Sequence, residues 1–168
     1  MDNRKNEVIP NGRVLVVDNK DMSLYIAKGV LSLYGLLIDT AKSGHEAIEK
    51  IKYNVYDLVL MDHDHLMPKM DGMETTREVR KLKGEYEKLP IVALTVNTVA
   101  GKKMFLANGF NGFISKPIVL QEMDKMLKEW LSPEKIARRV RANAAVIDSE
   151  AYNRFAAPTM WNDRMEVA

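Results

Sequence analysis

The chain has no cysteine, which excludes disulfides and thiolate metal centres and leaves the redox compartment open. It also has little net charge, with 25 Lys and Arg against 23 Asp and Glu. Without a large field of one sign, neither nucleic acid nor an anionic membrane is an expected partner. No apolar run approaches membrane-spanning length, and the opening Met1-Asp2-Asn3-Arg4-Lys5-Asn6-Glu7 is too polar for a signal peptide. A cytoplasmic protein is the expectation that follows. There is no internal repeat and no low-complexity tract. What is present is apolar content, 46% of 168 residues, ample for one core with sequence left over.

That content is organised. From Arg13 to about Leu131, short strand-like runs alternate with segments of helical period, the pattern of successive βα units on a parallel sheet. The runs are Val14 to Val17, Leu36 to Ile38, Leu58 to Met61, Ile91 to Leu94 and Phe113-Ile114. Between them, Met22, Ile26 and Val30, with Ala27, Leu31 and Tyr34 beside them, predict a helix stopped at Gly35. Ala47, Ile48 and Ile51 predict a second helix, and Met73, Thr76, Val79 and Leu82 a third. A fourth runs from about Val99 to Asn108, stopped by Gly109. A fifth carries Val119, Leu120, Met123, Met126, Leu127, Trp130 and Leu131 as its apolar stripe. Right-handed crossovers would wind these helices onto both faces of a five-stranded sheet. Residues 1–12 read as an arm or linker, 13–131 as the domain, and 132–168 as a tail, partly helical after the start signal Ser132-Pro133-Glu134, with no separate effector domain.

Polar residues fall where the strands run out: Asp18 after the first, Asp62 and Asp64 after the third, Thr95 at the fourth, Lys116 after the fifth. Ligands of an open parallel sheet bind outside the carboxyl ends of its strands, so these residues would share one rim. Carboxylates, a hydroxyl and an ammonium together suit a phosphoryl group and a divalent cation.

In this order, Val14-Leu15-Val16-Val17-Asp18, Tyr56-Asp57-Leu58-Val59-Leu60-Met61-Asp62, Met67-Pro68-Lys69-Met70-Asp71-Gly72, Ala93-Leu94-Thr95 and Ser115-Lys116-Pro117 resemble the receiver domain of response regulators and hybrid histidine kinases. The resemblance implies a flavodoxin-like, doubly wound (βα)₅ fold with strand order 2-1-3-4-5. It implies a phosphorelay component, not an enzyme in the ordinary sense, that accepts a phosphoryl group from a histidine kinase or histidine phosphotransfer protein. Mg²⁺ would sit with Asp18, Asn19, the acceptor Asp62 and Asp64, while Lys116 and Thr95 would contact phosphoryl oxygens. Thr95 and Phe113 would form the switch that alters the face of helix four, strand five and helix five, a face also suited to a homodimer. A cis Lys116–Pro117 bond is implied as well.

Three positions depart from the pattern. Asn19 stands where a second acid is usual, Val96 where a small residue follows the threonine, and Asp62-His63-Asp64-His65 contains two extra residues. Counting from Tyr56-Asp57 makes Asp62 the acceptor, whereas counting back from Met67-Pro68 makes it Asp64. Asp62 is preferred, because slipping the strand by two would drag Asp57 toward the apolar interior, whereas a longer loop costs little. Three other readings compete. A degenerate receiver would bind partners without phosphorylation. A haloacid-dehalogenase-type phosphatase also uses Asp-x-Asp, Thr and Lys, but its metal-binding acids come late in the chain. His63 and His65 invite a zinc site, yet the longer metallo-hydrolase pattern is absent.

Overall fold

The computed structural model describes residues 9, 11–63, 67–96, 101–131 and 134. Five parallel strands, β1 (Arg13–Val17), β2 (Leu37–Ala41), β3 (Leu58–Asp62), β4 (Ile91–Thr95) and β5 (Gly112–Ser115), lie in the order β2-β1-β3-β4-β5. They alternate with α1 (Asp21–Ser32), α2 (Gly44–Tyr53), α3 (Gly72–Lys81), α4 (Gly101–Ala107) and α5 (Leu120–Trp130). This is the flavodoxin-like arrangement expected. β1, β3 and β4 are apolar nearly throughout because both of their faces are covered.

Alternation along the strands divides the core in two. Leu15, Val17, Val59, Met61, Ile91 and Ala93 pack with Ala47 and Ile51 of α2, Val79 of α3 and Phe105 of α4. The complementary residues Val14, Val16, Leu58, Leu60, Val92 and Leu94 are buried on the other face, with Leu24, Ala27 and Leu31 of α1 and Met123 and Leu127 of α5. The starts of α2 and α3 are fixed by side chains. Ser43 accepts a hydrogen bond from the Glu46 amide and Asp71 from the Glu74 amide, each relieving a donor that the first helical turn leaves unpaired. Gly35 and Gly109, at φ 69° and 90°, lie beyond the ends of α1 and α4 in the left-handed region that favours glycine.

Several sequence expectations are corrected. The inward stripe of α1 is Leu24, Ala27 and Leu31, continued by Tyr34, whereas Met22 and Ile26 are 68% and 49% exposed. Fourfold spacing from Met22 drifts around the helix, and the 24/27/31 series is the one that stays on the sheet. On α5 the stripe begins at Met123, since Val119 and Leu120 are exposed. β2 runs on through Asp39, Thr40 and Ala41, because an edge strand solvated along one side tolerates polar residues. The charged segment after α3 contains a 3₁₀ turn, Gly84–Glu87. The fourth helix is described from Gly101, and residues 97–100 lie outside the described set. Of the expected tail only Glu134 is described, as helical, and the expected arm is described only at Ile9, Asn11 and Gly12.

Candidate functional site

β1 and β3 are adjacent and in register, Val17 opposite Met61, so the residues that follow, Asp18 and Asp62, emerge side by side at the carboxyl rim. Both are almost fully buried, at 1% and 3% exposure. Two carboxylates this close and this dry need a cation between them. Lys116, delivered from the end of β5, supplies it: its Nζ lies 2.9 Å from Asp18 Oδ2 and 2.5 Å from Asp62 Oδ1. Asp18 Oδ1 accepts a further bond from the Lys20 amide, 2.8 Å, which fixes the plane of the carboxylate. Burial would depress the Lys116 ammonium, but its hydrogen bonds to Asp62 and Asp18 and their attraction outweigh this and raise its pKa.

The remaining expected residues take distinct places. Thr95 ends β4 fully buried, opposite Ser115 of β5 and one residue beyond the Asp62–Leu94 pair of β3 and β4, and the Lys116 amide donates to the Thr95 carbonyl at 2.8 Å. The Lys116–Pro117 bond is cis. Asn19 is partly exposed beside Asp18, and Val96 is 68% exposed just after Thr95. Phe113 stands apart, on β5 opposite Ala93, stacked on Phe105. Asp64 and His65 lie outside the described residues. His63 is buried against Phe105, and among the described residues no three His, Asp or Glu side chains stand together as a metal site.

Sequence reasoning missed two features of this rim. Gly72, the first residue of α3, abuts the end of β3 so closely that a Cβ there would lie 2.0 Å from the Asp62 carbonyl oxygen. The glycine in Met70-Asp71-Gly72 was the available signal. The second is Phe105, whose burial beside His63 and Phe113 joins residues distant in the sequence and so leaves no local signal.

The sequence and fold have counterparts among known proteins. Residues 14–128 match the family model of the response regulator receiver domain. The chain belongs to that family. Over 122 residues it is 33% identical to the aerobic respiration control sensor protein ArcB of Escherichia coli K12, a match covering 73% of this chain and 15% of ArcB. The chain spans only 13% to 17% of the length of the curated relatives it matches. Among solved structures, the receiver domain of sensor histidine kinase PA1611 from Pseudomonas aeruginosa, described with magnesium coordinated in its active-site cleft, is 27% identical at TM-score 0.65, covering 72% of this chain and 98% of that one. A chain in the co-crystal of the Saccharomyces cerevisiae phosphotransfer protein Ypd1 with the receiver of Ssk1 is 27% identical at TM-score 0.66, covering 74% and 92%. This receiver domain is therefore a two-component signalling module of the kind found in hybrid histidine kinases and response regulators. That match leaves the dehalogenase-type reading unsupported.

Proposed function

We propose that this receiver accepts a phosphoryl group on Asp62 from a phosphohistidine partner, with Mg²⁺ as cofactor, and that the modification alters its partner-binding face. The observation that carries the reading is the buried triad in which Lys116 bridges Asp18 and Asp62. Two carboxylates and one ammonium leave the pocket one negative charge in excess, and both carboxylates converge on one point. Hard oxygen donors converging at the carboxyl rim suit Mg²⁺, which takes one or two carboxylates and keeps several waters. Asp18 and Asp62 would hold it, with the Asn19 amide oxygen as a neutral third donor. When bound, the ion neutralises the negative charge that phosphorylation adds.

The chain's own groups do the rest. A carboxylate oxygen of Asp62 attacks phosphorus in line. The new O–P bond forms as the P–N bond of the phosphohistidine breaks, and the imidazole leaves with the electron pair and takes a proton from solvent. Lys116 follows the charge from the carboxylate to a phosphoryl oxygen, and Thr95 donates its hydroxyl to another. Asp62 is favoured over Asp64 because β3 ends at Asp62 in register with β4, while Asp57 is held at the strand entrance by the Arg13 amide, 2.8 Å. A register two residues later would take Asp57 from that bond.

The partner surface follows from exposure. Met22, Tyr25 and Ile26 of α1, with Val96, Val119 and Leu120, are all large apolar side chains exposed on segments that leave the carboxyl ends of β1, β4 and β5. An apolar collar around a charged centre fits the helical surface of a phosphotransfer protein or histidine kinase. Among the described residues β5 is an edge strand of the sheet, and with α5 it lines a cleft of about 350 Å³ that includes Phe113, Met126 and Trp130, a surface suited to an output partner or a second copy. The test is phosphotransfer from a phosphorylated histidine phosphotransfer protein in Mg²⁺. Asp62→Asn abolishes transfer while Asp64→Asn retains it. Transfer that survives Asp62→Asn refutes the assignment, and no transfer to the native chain supports the binding-module alternative.

A further inference from the structure

Strand alternation sends Asp62 and the next residue, His63, to opposite faces of the sheet. Asp62 meets Lys116 on one side. On the other, His63 is 6% exposed and stands edge-on to Phe105, ring centroids 4.8 Å apart and planes at 82°. Phe105, fully buried on α4, is in turn stacked on Phe113 of β5 at 5.3 Å and 26°, and it meets Phe110 edge-on at 5.6 Å. The His63 amide donates to the Leu94 carbonyl at 3.0 Å, so the histidine's backbone is tied to β4 and cannot drift independently of the sheet. A continuous line of ring contacts thus runs from the neighbour of the acceptor to the aromatic on the edge strand.

We propose that Phe105 is a positioning residue that couples the state of Asp62 to the seating of Phe113, through His63. The inference rests on Asp62 being the acceptor. Closely packed interiors move between discrete arrangements rather than deforming smoothly. A shift of the β3 terminus when Asp62 gains a bulky dianion re-seats His63, and its edge contact obliges Phe105 to follow. Phe113, held face to face with Phe105, then changes its own position. Aromatic pairs of these two geometries bias such an equilibrium by about two- to tenfold each, enough to set the population of a switch. The route is separable from Thr95, since His63 and Phe105 can be altered with Thr95 left intact.

The experiment uses the full chain with fluorinated phenylalanine, the Phe113 signal being assigned by its loss in Phe113→Leu. Mg²⁺ with beryllofluoride, a non-transferable phosphoryl mimic, is titrated while calorimetry measures its binding. The expected result is a Phe113 shift in the native chain that falls to about a third or less in Phe105→Leu, which stays apolar but removes the ring contacts to His63 and Phe113 along with that to Phe110. His63→Leu loses the shift in the same way and His63→Phe, which keeps an edge for Phe105, retains it. That pair decides the matter if Phe105→Leu fails to fold. A full Phe113 shift in Phe105→Leu or in His63→Leu overturns the coupling even though beryllofluoride binds. Absence of beryllofluoride binding to the native chain, or binding unchanged by Asp62→Asn, refutes the acceptor reading and the inference with it.

Discussion

Replacing Lys116 by methionine keeps the side chain's length and apolar stem while deleting its charge. In the native pocket that charge is shared between Asp18 Oδ2 at 2.9 Å and Asp62 Oδ1 at 2.5 Å, with the two carboxylates 1% and 3% exposed. Removing one partner of a buried ion pair costs about 3–5 kcal/mol, because the charge left behind is uncompensated. Lys116 retains 18% side-chain exposure, so water already screens part of the interaction and about 3 kcal/mol is expected. At about 3–4 °C per kcal/mol for a domain of this size, Tm falls by about 10 °C. Under the proposed function Mg²⁺ would bind only the folded chain and would now meet two unopposed carboxylates, so it is expected to raise the Tm of Lys116→Met more than that of the native protein. The pH dependence has a definite sign. The Lys116 pKa is raised in the folded state, so its contribution is fully present below the ordinary lysine value of 10.5 and is lost only as pH rises through the folded value above it. Thermal unfolding followed by circular dichroism in metal-free buffer, from neutral pH to above the ordinary lysine range, measures the gap between the two proteins. A gap near zero at neutral pH, or one that Mg²⁺ widens, would refute the reasoning.

Asn19→Asp adds a carboxylate beside Asp18 and should raise Mg²⁺ affinity about tenfold by calorimetry, while lowering metal-free stability through repulsion in the same pocket. Gly72→Ala places a methyl 2.0 Å from the Asp62 carbonyl oxygen. No side-chain rotation relieves a backbone contact, so the substitution costs about 1–3 kcal/mol in urea unfolding and slows acetyl phosphate labelling at least about tenfold by displacing the acceptor. Arg80→Met removes donors to the carbonyls of Tyr86 (2.6 Å), Leu89 (2.8 Å) and Gly109 (2.9 Å) and to Asn111 Oδ1 (2.8 Å). Urea unfolding should show a loss of about 2–4 kcal/mol from the unpaired acceptors, with labelling by acetyl phosphate little changed.

The legible part of this protein was its strand ends. Parallel strands covered on both faces must be apolar for their whole length, so the first polar residue after each run marks the rim, and Asp18, Asp62 and Lys116 were found that way. Their meeting required the order of the strands as well, and the family motifs supplied it. Helix faces were less legible where the exposed side is also apolar: Met22, Tyr25 and Ile26 make the outside of α1 as hydrophobic as its inside, and a period alone cannot choose between them. Arg80 was invisible for a different reason. An arginine near the end of a helix reads as a solvated surface charge, and only the fold brings it to three carbonyls in two separate connections, before β4 and before β5. The contact of Phe105 with His63 joins residues from α4 and the end of β3, a pairing that no local pattern encodes.

The central claim is that Asp62 carries the phosphoryl group, and chemical trapping measures this directly. After labelling of the full chain with acetyl phosphate in Mg²⁺, borohydride reduces an acyl phosphate to the alcohol, converting the acceptor aspartate to homoserine, which peptide mass spectrometry locates. Conversion at Asp62, dependent on Mg²⁺ and strongly reduced in Lys116→Met, is the predicted result. Conversion at Asp64 with Asp62 unmodified would contradict it.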